Sequence, residues 1–230
     1  NVIIASRSEE DLKVAIKLLD IAKGQTHDYL VVDYSNLPKL KTKVEQLALE
    51  KKGIQILVNN TGGPAGGPIK DATSSEFIAA FNNHLLANHL LVQTLVPGMQ
   101  KSNYGRVINI ISTSVKIPLN GLGVSNTIRG AVASWAKTMA NELGAFGITV
   151  NNVLPGATAT ERLESIIKNK AKKIAKEEAI VAEQMKSVIP MNRFAEPNEI
   201  GSFVAFLASP AAAYINGTST PVDGGRTGSI

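Results

Sequence analysis

At 230 residues, 44% of them hydrophobic, the chain can bury one sizeable core, and no Pro/Gly/Ser-rich linker divides it, so a single domain over residues 1–230 is expected. A formal charge of +5 with only 5% aromatic residues does not match the basic, aromatic-interleaved surface of a nucleic-acid binder, and the absence of cysteine excludes a disulfide framework or a thiol nucleophile. No apolar run approaches the roughly 20 residues of a membrane span, so no membrane partner and a cytoplasmic location are expected.

Short runs rich in valine and isoleucine alternate with longer segments of helical period, the pattern of an α/β protein whose doubly wound parallel sheet carries helices on both faces, a Rossmann-like three-layer fold. The first strand is predicted over Val2–Ala5, followed by a helix opened by Ser8 with Asp11. A strand over Tyr29–Asp33 precedes a helix with Pro38 in its first turn, and Gly53 suits a left-handed stop before the strand Ile54–Asn59. Thr73 with Glu76 has capping-box spacing and opens a long helix; the strands Arg106–Ser112 and Thr149–Leu154 follow, the second entered through Gly147. The stretch from Glu161 to Lys186 is charged, helical in propensity and without an evident apolar stripe. Its Lys168, Lys170, Lys172, Lys173 and Lys176 read as a solvated helix face, and residues 161–190 as a substrate lid. Pro197 opens the last helix and Ser219–Val222 forms the last strand.

Ligands of an open parallel sheet bind beyond the carboxyl ends of its strands. There the chain places Ser6-Arg7, Asp33, Asn59-Asn60-Thr61-Gly62-Gly63, Ser112-Thr113-Ser114 and Pro155-Gly156 with Thr158 and Thr160.

These segments resemble those of the classical short-chain dehydrogenase/reductase family, of the type that includes 3-oxoacyl-carrier-protein reductases. Leu57-Val58-Asn59-Asn60-Thr61-Gly62 is similar to the family's Asn-Asn-Ala-Gly run, and Gly105 to Ile110 to its fifth strand. Gly147 to Gly156, Ile189-Pro190, Arg193-Phe194, Phe206 to Ser209 and Val222 to Gly225 follow in the family's order. The resemblance implies a nicotinamide cofactor whose pyrophosphate rests on a Gly-rich turn after the family's first strand. The sequence opens where the family's second strand would open, and the preceding strand, turn and helix, about 30 residues of a βαβ unit, are expected in the natural protein. That strand would lie mid-sheet, between the strands starting at Val2 and Ile54.

By family position Ser6 and Arg7 meet the adenosine ribose, Asp33 the adenine, and Asn60, Gly62 and Thr160, with Pro155, Gly156 and Thr158, the ribose and nicotinamide ends. A guanidinium and hydroxyls in place of an acidic residue suit a 2′-phosphate, so NADP(H) is expected over NAD(H). Ser112 matches the family's catalytic serine and can polarise a carbonyl. Ser125, thirteen positions on, stands where the family has tyrosine, and Arg129 where it has lysine. His84 aligns with the asparagine of the family's proton relay, counted from Glu76-Phe77 and checked by Gln93 and Pro97. An alkyl hydroxyl is too weak an acid to replace a phenol, whereas the guanidinium of Arg129 stays protonated, so it is expected to hold the nicotinamide ribose hydroxyls and lend positive potential without relaying a proton. With a pKa near 6.5, His84 is the candidate proton donor, against the plainer reading that it is hydrogen-bonded structure. Its spacing to His89 does not fit a helical metal pair, and no metal is expected. Two functions stay open: an NADP-dependent oxidoreductase acting on a ketone or secondary alcohol, and a scaffold or binding protein that keeps the fold without turnover. The family further implies a homotetramer joined by the helices matching Ser74 to Gln100 and Leu122 to Phe146. Val132, Trp135, Ala136 and Met139 are either an interface stripe or a plain core face.

Overall fold

A computed structural model of the chain describes residues 1–51 and 53–228. Six parallel strands alternate with helices in the order β1 (Ile3–Ser6), α1 (Glu9–Ile16), β2 (Asp28–Val31), α2 (Leu37–Glu50), β3 (Ile56–Asn59), α3 (Ser74–Phe81), α4 (Ala87–Ser102), β4 (Gly105–Ile110), α5 (Gly123–Leu143), β5 (Ile148–Pro155), α6 (Glu161–Ile174), α7 (Glu178–Lys186), α8 (Pro197–Ala208) and β6 (Ser219–Val222). This is the doubly wound α/β fold that the sequence predicts. The caps form as expected: the Ser8 hydroxyl accepts from the Asp11 N–H, Thr73 and Glu76 close a capping box, and Gly147 turns left-handed at φ 69° before β5.

The ladder runs in two pieces. β1 pairs with β2, and β3 to β6 form a separate run in sequence order. Among the described residues β1 and β3 share no ladder, so each presents an unpaired edge, and Ile56 and Val58 of β3 are 44% and 42% exposed. The gap falls where the sequence reading places a further mid-sheet strand. β4 and β5 are buried along almost their whole length, as central strands covered on both faces must be. The larger core joins α2, α4 and α5 to one face through Leu40, Val92, Met99, Val107 and Ile148, and α8 covers the other through Ile200 and Leu207.

Two expectations need correction. The strand read as Arg106–Ser112 ends at Ile110, because the Ser112 hydroxyl accepts from the Ser114 N–H and turns the chain into a 3-10 turn over Thr113–Val115. The stretch from Glu161 to Lys186 does carry an apolar stripe: Leu163, Ile167 and Ala171, spaced one helical turn apart, are buried with Val181 in a small core of their own. Leu163 and Ala171 are flanked on both sides by charged residues and Ile167 on one, which masks a narrow stripe. The five lysines named above are all exposed, as a solvated face requires. On α5, Val132 and Ala136 are wholly buried, and Trp135 and Met139 pack against the same core, so that stripe is core facing.

Candidate active site

Arg129, Thr61 and His84 meet beyond the carboxyl ends of β3 and β4, and Ser112 follows the end of β4 by two residues. The long helix that carries His84 is not regular: between α3 and α4 the chain widens into a π-helical turn over Asn82–Leu86, a local insertion of the kind that redirects side chains at functional sites. This turn buries His84 to 2% exposure and aims its Nδ1 at the Thr61 hydroxyl, 2.5 Å away. α5 is seated by a backbone contact. A Cβ on Gly123 would stand 2.3 Å from Cβ of Ile69, so only glycine lets the helix start there. From that fixed origin Ser125 and Arg129 lie one turn apart on the same face.

Arg129 is 7% exposed, and its guanidinium donates to the carbonyl of Ile110 at the end of β4 and to that of Thr61 after β3, both at 3.1 Å. It ties two strand ends together while still holding N–H groups free, since a guanidinium has five. Arg162, at the start of α6, reaches the same loop, with Nη1 and Nη2 each 3.4 Å from the carbonyls of Gly63 and Pro64. The sequence reading does not single out Arg162; its signal was its place two residues past Thr160, in the first turn of the lid segment.

Electrostatics follow from this crowding of cations. Burial, then the Arg129 and Arg162 charges, push His84 down to about 4, and burial with the Arg162 charge pulls Arg129 down to about 10. At neutral pH His84 is therefore mainly neutral imidazole, its pKa below the ordinary value near 6.5 on which the sequence reading rests. Arg129 stays charged.

A row of asparagines crosses the sheet below the site, and sequence reasoning missed it. Asn59 donates to Asn109 at 2.8 Å, Asn109 to Asn152 at 2.9 Å, and Asn152 to the Ser219 hydroxyl at 3.0 Å, linking β3, β4, β5 and β6. These four are in register, so one side-chain ladder rides on the backbone ladder. Its signal was an asparagine within each of three otherwise largely apolar strands, Asn59, Asn109 and Asn152. Oδ1 of Asn59, at the open edge of β3, is buried without a partner.

The remaining candidates line the same edge. Ser6 and Arg7 end β1 beside Asp33, which is exposed, and whose carboxyl is held below the usual range chiefly by the Ser35 N–H and hydroxyl and least by Arg7. Asn60 and Gly62 are exposed, and no atom lies within 4 Å of where a Gly62 Cβ would stand, so a ligand can lie against that backbone. Pro155, Gly156 and Thr158 are half-buried, and Gly156 packs so tightly on Asp223 that a Cβ would approach its Cα to 2.8 Å. Thr160 caps α6 through the Leu163 N–H. Lys116 faces solvent, and His89 accepts from the Trp135 indole rather than joining the site. Open backbone at Gly62, hydroxyls, and an Arg7 that makes no ion pair among the described residues fit a dinucleotide laid across the strand ends.

A parallel sheet of this order with polar residues gathered at its carboxyl edge is the architecture of dinucleotide-binding α/β proteins. The family profile described as enoyl-(acyl carrier protein) reductase matches residues 1–227. A 3-oxoacyl-(acyl-carrier-protein) reductase of Vibrio cholerae is 31% identical over 204 residues, 88% of this chain and 78% of the relative. A chloroplastic tropinone reductase homologue of Arabidopsis thaliana is 31% identical over 198 residues, 86% of this chain but only 59% of the relative's length. Among solved structures, YwfH, an NADPH dependent reductase involved in bacilysin biosynthesis, superposes with a TM-score of 0.93 at 26% identity, covering 99% of this chain and 89% of its own. The chain belongs to the short-chain dehydrogenase/reductase family. No helix among the described residues is long and apolar enough to cross a membrane.

Proposed function

We propose that the protein is an NADP(H)-dependent reductase that interconverts a small ketone, 3-oxoacyl-like or other, and its secondary alcohol. The observation that carries this reading is the guanidinium of Arg129 bonded to the ends of β3 and β4, through Thr61 and Ile110, beside backbone open at Gly62 and two residues before Ser112. Ser6, Arg7 and Asp33 would hold the adenosine end of the cofactor. Asn60, Gly62, Pro155, Gly156, Thr158 and Thr160 would hold the nicotinamide end, with Arg129 lending positive potential. When bound, the nicotinamide supplies or accepts hydride.

Within the chain, Ser112 polarises the carbonyl. Its oxygen already accepts from the Ser114 N–H, which leaves its O–H free to donate. Ser125 is too weak an acid to protonate the product, Arg129 stays charged, and His84 holds no proton to give as imidazolium. A nascent alkoxide is basic enough to take its proton from water, and His84 acts as a positioning residue through the Thr61 hydroxyl. α6 and α7, within residues 161–190, close over the substrate as a lid. A cytoplasmic homotetramer belongs to the same reading, supported by the family and by the lack of cysteine.

The substitution of tyrosine by Ser125 favours a second reading, a scaffold that binds without turnover. Arg7→Ala tests the cofactor assignment: the KM for NADPH rises about tenfold, the value of a charge-assisted phosphate contact, while that for NADH moves little. Equal effects on both remove Arg7 from the 2′-phosphate.

A further inference from the structure

Arg129 and Arg162 come from different helices and meet over one residue. A Cβ built on Gly63 would stand 3.0 Å from Nη2 of Arg162 and 3.7 Å from Nη2 of Arg129, so the two guanidinium ends approach one another across that glycine. Like charges placed so close repel, and burial of Arg129 strengthens the repulsion. Such an arrangement normally holds a carboxylate between the cations. Here, among the described residues, neither arginine makes an ion pair; Glu161 and Glu164, the nearest acidic neighbours of Arg162 in sequence, leave it unpaired. The protein partners of both guanidiniums are backbone carbonyls, which are dipoles and not counter-charges. The contacts of Arg162 are long at 3.4 Å, so its fork remains available.

We infer that Arg129 and Arg162 together form an anion site over Gly63, and that the substrate is a small oxo acid whose carboxylate lies between the two guanidiniums. This inference rests on the reductase reading for the reacting carbonyl but not for the anion site itself. The placement separates the site from the cofactor's 2′-phosphate: Arg129 bonds the ends of β3 and β4, two residues before Ser112, whereas the residues assigned to the 2′-phosphate end β1. An oxo acid held here presents its carbonyl to Ser112. A guanidinium fork binds a carboxylate bidentately, which fixes orientation as well as charge.

The test measures binding and turnover separately. Calorimetry with oxamate, an oxo acid analogue that resists reduction, and with inorganic phosphate would be run on the full chain, on Arg162→Gln and on Lys168→Gln, a charge control on the exposed face of α6. Oxamate binding weakened at least about tenfold by Arg162→Gln but not by Lys168→Gln supports the site, with Arg162→Lys intermediate because an ammonium binds as a point charge. Equal binding by all variants, or no binding, overturns it. In turnover, 2-oxo acids are expected to exceed their methyl esters in kcat/KM, with the ratio falling at least about tenfold in Arg162→Gln. Acids and esters reduced alike would overturn the anion site while leaving the reductase reading standing. Arg162-dependent oxamate binding with no turnover of any carbonyl would support the site and sink the reductase reading. A loss confined to NADPH affinity would assign the anion to the cofactor and overturn the proposal.

Discussion

Arg129 donates to carbonyls on two different segments, so its removal strands two buried acceptors at once. Arg129→Met is expected to lower stability by about 2 kcal/mol, since the unpaired carbonyls cost more than burial of the charge did, and Arg129→Lys should recover part of it. Urea unfolding of the three proteins checks this; an unchanged midpoint for Arg129→Met would show that water replaces the guanidinium. His84 gives a pH signature. Its folded pKa, about 4, lies below the unfolded value of about 6.5, so between them the unfolded state binds more protons. Stability from this group is full above pH 6.5 and drains as pH falls toward 4, by at most about 3 kcal/mol. In His84→Asn that part of the slope disappears, and a slope identical in both proteins would place the titration elsewhere. Ser112, Ser125, Arg129 and His84 were singled out by the resemblance to the family, which fixes their positions in the chain. Their states were not legible, because the pKa of His84 depends on burial by a π turn and on Arg162, which is 78 positions away in the chain.

Strand ends do most of the positioning at the next scale up. The asparagine ladder ties the carboxyl ends of β3 and β4, where Thr61 and Ile110 receive Arg129, to the middle of β5 and the start of β6. Asn109 both accepts and donates within it, so Asn109→Ala breaks two buried bonds and leaves a donor on Asn59 and an acceptor on Asn152 unpaired. A loss of about 2–4 kcal/mol is expected from two such bonds, with Asn109→Ser, which keeps one polar atom, in between. Thermal unfolding measures it; a loss under about 0.5 kcal/mol, the size of an ordinary surface change, would show that the ladder is not a unit. All six strands and the caps were readable because apolar period and cap chemistry are local. The ladder was not, because it depends on register between strands up to 67 residues apart. The apolar stripe of α6 was hidden for a different reason: Leu163, Ile167 and Ala171 bury against Val181, a neighbour outside their own helix.

Seen whole, the described residues carry the adenosine-side candidates Ser6, Arg7 and Asp33 on the β1–β2 ladder and the candidate reacting residues on the β3–β6 ladder. The proposed cofactor would run along the carboxyl ends of both. The most direct test of the account is the time course of NADPH absorbance with a panel of oxo acids and neutral ketones, for the wild type and Ser112→Ala. Steady consumption by the wild type, reduced about 100-fold or more in Ser112→Ala, is the predicted result, as for loss of a donor that polarises a carbonyl. No consumption with any carbonyl, or consumption untouched by Ser112→Ala, would contradict it.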